Sequence, residues 1–221
     1  MSGIPHLPHR LAFSLCTRPT AHRTINTNRL HRAIRRLRSN HHIRRNHMSK
    51  SFYDLLNEQI GHEFAASHQY LSMAIWLDGE DLPQLAKFFY RQSLEEREHA
   101  LMMVQYKLDR GHKVEIPAVP AVKNDFENVQ EIVDLSLAQE KAVTGQIEAL
   151  FSAARAENYA LGEQFILWFL KEQVEEVATM ETLVTVVKRA NGNLFDLENY
   201  VARELADDHG QESGAPAIAG S

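Results

Sequence analysis

Residues 82–106 read LPQLAKFFYRQSLEEREHALMMVQY. Pro83 suits the first turn of a helix, and steps of three and four from Leu82 pick out Leu85, Phe89, Gln92, Glu96, His99, Met103 and Tyr106. The stripe is apolar at both ends and polar in its middle. A helix that turns this face to a core carries a carboxylate and an imidazole, three residues apart, into the interior.

Working outward, the same pattern recurs three times. Ser51 and Asp54 give a helix-start signal, and a first helix over about 51–78 has the stripe Leu56, Ile60, Glu63, Ser67, Tyr70, Ala74, Leu77. The second helix is predicted from Asp81 to Gly111. A third, over about 128–157, has Val129, Val133, Ser136, Glu140, Val143, Ile147, Leu150. A fourth, over about 159–190, has Ile166, Phe169, Gln173, Glu176, Met180, Leu183, Val187 and stops at Asn191-Gly192. Residues 112–125 contain Pro117 and Pro120 and are predicted to be an extended connection long enough to make helices two and three parallel. The expectation is an all-α four-helix bundle with one long crossover, plus a short fifth helix over about 194–206.

All four stripes turn polar at a similar depth. One inward glutamate is explained by a salt bridge or a misjudged phase, but four at one level are not, and no Lys or Arg lies on these stripes. Burying unpaired carboxylates costs several kcal/mol each, roughly. A bound cation removes that cost. Glu63, Glu96, Glu140 and Glu176 balance two divalent ions, and Glu96 and His99 reach the same one. Oxygen donors with one imidazole suit iron or manganese and disfavour structural zinc.

The chain has 221 residues, one cysteine (Cys16) and a formal net charge of −5. No apolar run is long enough to span a membrane. Residues 1–47 hold ten Arg, seven His and no Asp, Glu or Lys, leaving 14 Lys+Arg against 29 Asp+Glu in 48–221, a net of −15 there. This start reads as a basic disordered extension: translation from an upstream start with Met48 as the biological first residue, a targeting segment, or a nucleic-acid-binding arm. Three segments are expected: 1–47, a bundle domain over 48–206, and a small polar tail over 207–221 without fixed structure.

The motifs Glu95-Glu96-Arg97-Glu98-His99, Glu172-Gln173-Val174-Glu175-Glu176 and Asn57-Glu58-Gln59-Ile60-Gly61-His62-Glu63 resemble those of bacterial non-haem ferritins. The resemblance covers about 51–206 and is nearest the actinobacterial members, through Glu80–Lys87 and Asn193–Asn199. It implies a cytoplasmic iron-storage protein and ferroxidase that oxidises Fe(II) with O2 at a di-iron centre. Twenty-four copies would enclose the ferric mineral. By position, Glu63 and His99 would bind the first iron, Glu96 would bridge, Glu140 and Glu176 would bind the second, and Gln173 would stand in or beside this shell. Tyr70 would be a hydrogen-bond or electron donor, or ordinary core. Glu95, Glu172 and Glu175 match a weaker third iron site, or form a solvated acidic face; Glu163 is a candidate for a channel admitting iron. Bacterioferritins carry a second E-x-x-H, where this chain has Gln173-x-x-Glu176, and a haem-binding methionine, where it has Arg97, so no haem is expected. The rival functions are a DNA-associated iron-detoxification protein using the basic arm, marked by salt-dependent DNA binding, and a metal-free structural bundle, marked by indifference to chelators.

Overall fold

The computed structural model describes residues 50–205 and 214–220; the basic extension 1–47, Cys16 and the Met48 start lie outside them. Among the described residues there are five helices and no strand: α1 (Phe52–Gly79), α2 (Pro83–Asp109), α3 (Val129–Ala156), α4 (Ala160–Ala190) and α5 (Leu194–Glu204).

Helix starts follow local chemistry where it exists. Ser51 and Asp54 form a reciprocal capping box on α1, and Asn128 caps α3 through the Glu131 N–H. Helix α2 starts later than Asp81, because Asp81 sits at φ 59°, in the left-handed region that ends α1. Leu82 offers no side-chain cap to α2. Instead Glu198, on α5, accepts from Gln84 N at 2.8 Å and Leu85 N at 2.9 Å. Similarly Glu157, beyond α3, accepts from Phe52 N at 2.7 Å. Both carboxylates sit at the positive end of a helix dipole. Asn158 (φ 55°) and Asn191 (φ 48°) make the turns after α3 and α4.

The crossover 112–128 is extended and fastened along α1. Asn57 donates to Glu115 O and accepts from Glu115 N, at 2.8 and 3.1 Å. Gln69 makes the same pair with the Lys123 backbone, both at 2.9 Å, and Ser72 donates to Lys123 O at 2.8 Å. Gly61 lets Pro117 lie against the helix: a Cβ there would come within 3.0 Å of the proline ring. The segment climbs α1 from residue 57 to 72, so α3 begins where α2 began and the two run parallel.

The core is divided. One apolar cluster takes in Met73, Leu77, Leu85, Phe89, Val133 and Leu183 with Leu197 and Val201 of α5. The other holds Phe52, Leu56, Met103, Ile147, Leu150 and Ile166. Between them lies the layer of Glu63, Gln92, Glu96, His99, Ser136, Glu140 and Gln173, all buried. The tail departs from expectation. Residues 214–220 pack Ala215, Ile218 and Ala219 against the second cluster, and Ala219 N donates to Leu101 O at 3.3 Å. The apolar residues within Ala-Pro-Ala-Ile-Ala account for this; a polar composition had concealed them.

Candidate metal centre

The polar layer is built one turn at a time. On α1, Glu63 is buried and its Oε1 accepts from Gln59 Nε2, four residues earlier, at 3.0 Å. Its Oε2 is buried without a hydrogen-bond partner. On α2, Glu96 and His99 share a face, with His99 Nδ1 3.3 Å from Glu96 Oε2. Ligand atoms of Glu63, Glu96 and His99 all lie within 4.8 Å of one another. Trp168 and Phe169 hold the imidazole edge-on, at 5.6 and 5.7 Å between centroids.

Across the layer, Glu140 on α3 accepts from the Tyr70 hydroxyl and from Gln173 Nε2, the latter at 3.3 Å. The Thr144 hydroxyl lies 2.8 Å from both the Glu140 carbonyl and Gln173 Oε1 and shares its one proton between them. Tyr70 is fully buried. Glu176 on α4 reaches the same layer but is only half-buried.

A second group forms beside the first: Glu95, His99 and Glu172 offer atoms within 4.8 Å of one another. Gln92 Nε2 donates to Glu95 Oε2 at 2.9 Å. Glu175 is not brought into this group; it is exposed and faces Lys171 at 3.4 Å. Glu163 lies 3.6 Å from Arg155.

The electrostatics are those of crowded anions. Burial, then the charges of Glu140, Glu63 and Glu176, pushes Glu96 well above the carboxylate range. Glu176 rises likewise, by burial and then by Glu95 and Glu140. Glu140 is pushed up to about 7, chiefly by burial, against the lowering effect of the bonds from Tyr70 and Gln173. The described residues place no ammonium or guanidinium in the layer. The buried Lys107 is committed elsewhere, donating to Asn57 Oδ1 at 2.6 Å. Such a set of hard oxygens and one imidazole holds protons when empty and gains most from small, highly charged cations.

Sequence patterning missed the supporting residues Gln59, Thr144 and Trp168. The first two had a signal: each stands four positions from a stripe glutamate on the same helix face. Trp168 touches His99 from another helix, and spacing along the chain carries no trace of that.

A family model described as the ferritin-like domain matches residues 53–190. The ferritin BfrB of Mycobacterium tuberculosis is 54% identical over 169 residues, covering 76% of this chain and 93% of its own length. A bacterial non-heme ferritin of Staphylococcus aureus is 39% identical over 142 residues, covering 64% and 86%. Among solved structures, an open pore ferritin from the archaeon Archaeoglobus fulgidus superposes with a TM-score of 0.67 at 26% identity, covering 71% of this chain and 98% of its own.

Proposed function

The chain belongs to the ferritin family, and from that premise we propose how its divided core handles iron. The protein stores iron and is a ferroxidase; iron is its substrate and cargo, and it works as a homo-oligomer. No helix among the described residues is long and apolar enough to cross a membrane.

In our reading, each subunit binds two Fe(II). Glu63 and His99 take one, Glu96 bridges, and Glu140 and Glu176 take the other, with Gln173 beside them. The two ions give one electron each to O2, which takes up two protons and leaves as hydrogen peroxide. Buried carboxylates drive this reaction forward, because anionic oxygens stabilise Fe(III) more than Fe(II). Protons held by Glu96, Glu140 and Glu176 in the empty site are released as the cations bind. Tyr70 and Gln173 orient Glu140, and the Trp168–Phe169 pair orients His99. Glu95, His99 and Glu172 form a neighbouring stop for a third iron. Twenty-four copies enclose the mineral in the cytoplasm. Arg97 stands where bacterioferritins carry their haem-binding methionine, so this reading includes no haem.

The single observation that carries this reading is the unneutralised layer, with Glu63 Oε2 unpartnered beside Glu96 and His99. The test adds Fe(II) in air and follows iron and protein together through size exclusion. Co-elution of iron with a large cage, and slower oxidation in Glu96→Ala, are expected. Precipitated iron and a small oligomer would refute the cage.

A further inference from the structure

The aromatic packing around His99 does not stop at its immediate neighbours. Phe169 meets Phe165 at 5.2 Å, and Phe165 stacks on Tyr106 at 3.9 Å with the planes 16° apart. The Tyr106 hydroxyl lies 2.7 Å from that of Tyr159, which lies 2.6 Å from that of Tyr53. Arg110 Nε donates to the Tyr159 oxygen at 3.1 Å. Tyr53 in turn stacks on His112, which is exposed, at 3.5 Å. From His99 to Tyr106 no ring-to-ring step exceeds the 5.7 Å between His99 and Phe169, and from Tyr106 the path continues through the hydroxyl contacts to Tyr53 and His112.

Packing alone explains Phe165 and Phe169. It does not explain three phenols converging on one oxygen at the end of the bundle, where any of them could have been Phe. Burial raises the Tyr53 phenol to about 12 and that of Tyr106 higher still. Burial opposes ionisation of Tyr159 too, but hydrogen bonds from Tyr106, Tyr53 and Arg110 outweigh it and bring that phenol below its ordinary value. The triad therefore has one oxygen that tolerates negative charge and a string of hydroxyls along which a proton can leave. Tyrosine gives up an electron readily only when its proton leaves with it. Tryptophan, here Trp168 at 4.9 Å from Phe169, also gives up electrons, and phenylalanine serves as a bridge between such donors.

Resting on the di-iron reading above, we propose that this string is a one-electron relay, supplying hydrogen peroxide with its second electron when the centre holds a single Fe(II). Peroxide comes from the two-iron reaction. The O–O bond breaks as Fe(II) gives one electron and the Tyr53–Tyr106–Tyr159 triad gives the other. One phenolic proton and one solvent proton are taken up. The products are Fe(III), two waters and a phenoxyl radical on the triad, in place of a hydroxyl radical loose beside the site. The direction is set by the residues: tyrosine and tryptophan pass oxidising equivalents outward and are not reduced.

The test uses the full chain carrying Tyr70→Phe, so that the tyrosine nearest the centre is silent. It is grown with ring-deuterated tyrosine, loaded anaerobically with one Fe(II) per subunit, mixed with hydrogen peroxide and freeze-quenched for electron paramagnetic resonance. A tyrosyl signal is expected in this parent. It should be lost when Tyr106→Phe and Tyr159→Phe are added, with a hydroxyl-radical spin adduct appearing instead. Phe165→Leu, which keeps all three phenols, should lose the signal too and covers the case in which the double variant folds badly. None of these additions should change the initial rate of Fe(II) oxidation by O2. A parent without a tyrosyl signal, or a signal undiminished in the variants, would overturn the relay and leave the di-iron reading standing. Wild-type protein that fails to oxidise Fe(II) would overturn both.

Discussion

The Tyr70 hydroxyl donates to Glu140 Oε1 across the layer that divides the core, joining α1 to α3 through two groups that both lie out of solvent. A buried hydrogen bond to a carboxylate contributes about 1.5–3 kcal/mol. Tyr70→Phe keeps the ring against Phe89 and leaves Glu140 with one donor fewer. The expected loss of stability in chemical denaturation of the iron-free protein is of that order, with slower initial Fe(II) oxidation. Unchanged stability would mean that Glu140 finds another donor.

Glu198 accepts two free N–H groups at the start of α2. Glu198→Ala should cost about 1–2 kcal/mol, in the range of a lost helix cap. Glu198→Gln, which keeps an accepting oxygen, should recover part of it. Urea titration of the three proteins distinguishes a cap from a general charge effect.

Stability of the iron-free protein should fall as pH rises. Glu140 moves from 4.5 to about 7 on folding, and Glu96 and Glu176 move in the same direction. Between the unfolded and folded values the folded state holds more protons, so its advantage is complete at the acid end and is lost through the folded value. Denaturation midpoints should therefore drop between about pH 4.5 and 7 in chelator. Saturating divalent metal should flatten the slope, because cations take over from protons. A flat profile in chelator would show that the carboxylates ionise freely.

Thr144 touches no metal position, yet its hydroxyl lies 2.8 Å from Gln173 Oε1. Thr144→Val preserves shape and frees the amide. Losing a residue that orients a ligand costs about 10-fold in metal affinity or activity. Fe(II) titration should show weaker binding with stability nearly unchanged; an unaltered titration would leave Gln173 held by Glu140 alone.

Much of this arrangement was legible along the chain. Periodicity of three and four placed Glu63, Glu96, His99 and Glu140 at one depth, because helical geometry is local and apolar flanks fix the phase. Capping by Ser51 and Asn128 was legible for the same reason. Glu157 and Glu198 were not, since each caps a helix distant in sequence. Asp81 looked like a helix start, but its left-handed backbone is imposed by the turn that sends α2 back along α1. Glu175 matched a motif but stays exposed on α4, 3.4 Å from Lys171, and how far a side chain on the edge of a helix face reaches inward is set by packing between helices, which spacing along one helix does not show.

The crossover acts as a length gauge. Adjacent helices packed by apolar side chains can slip by a turn at modest cost, and such a slip would carry Glu140 away from Glu63. Asn57, Gln69 and Ser72 grip the backbone of residues 115 and 123 at fixed heights on α1. The number of residues between the last grip, at 123, and the start of α3 at Val129 therefore sets how far α3 is advanced. One residue inserted there would leave every ligand present in the sequence and bring them to two different levels.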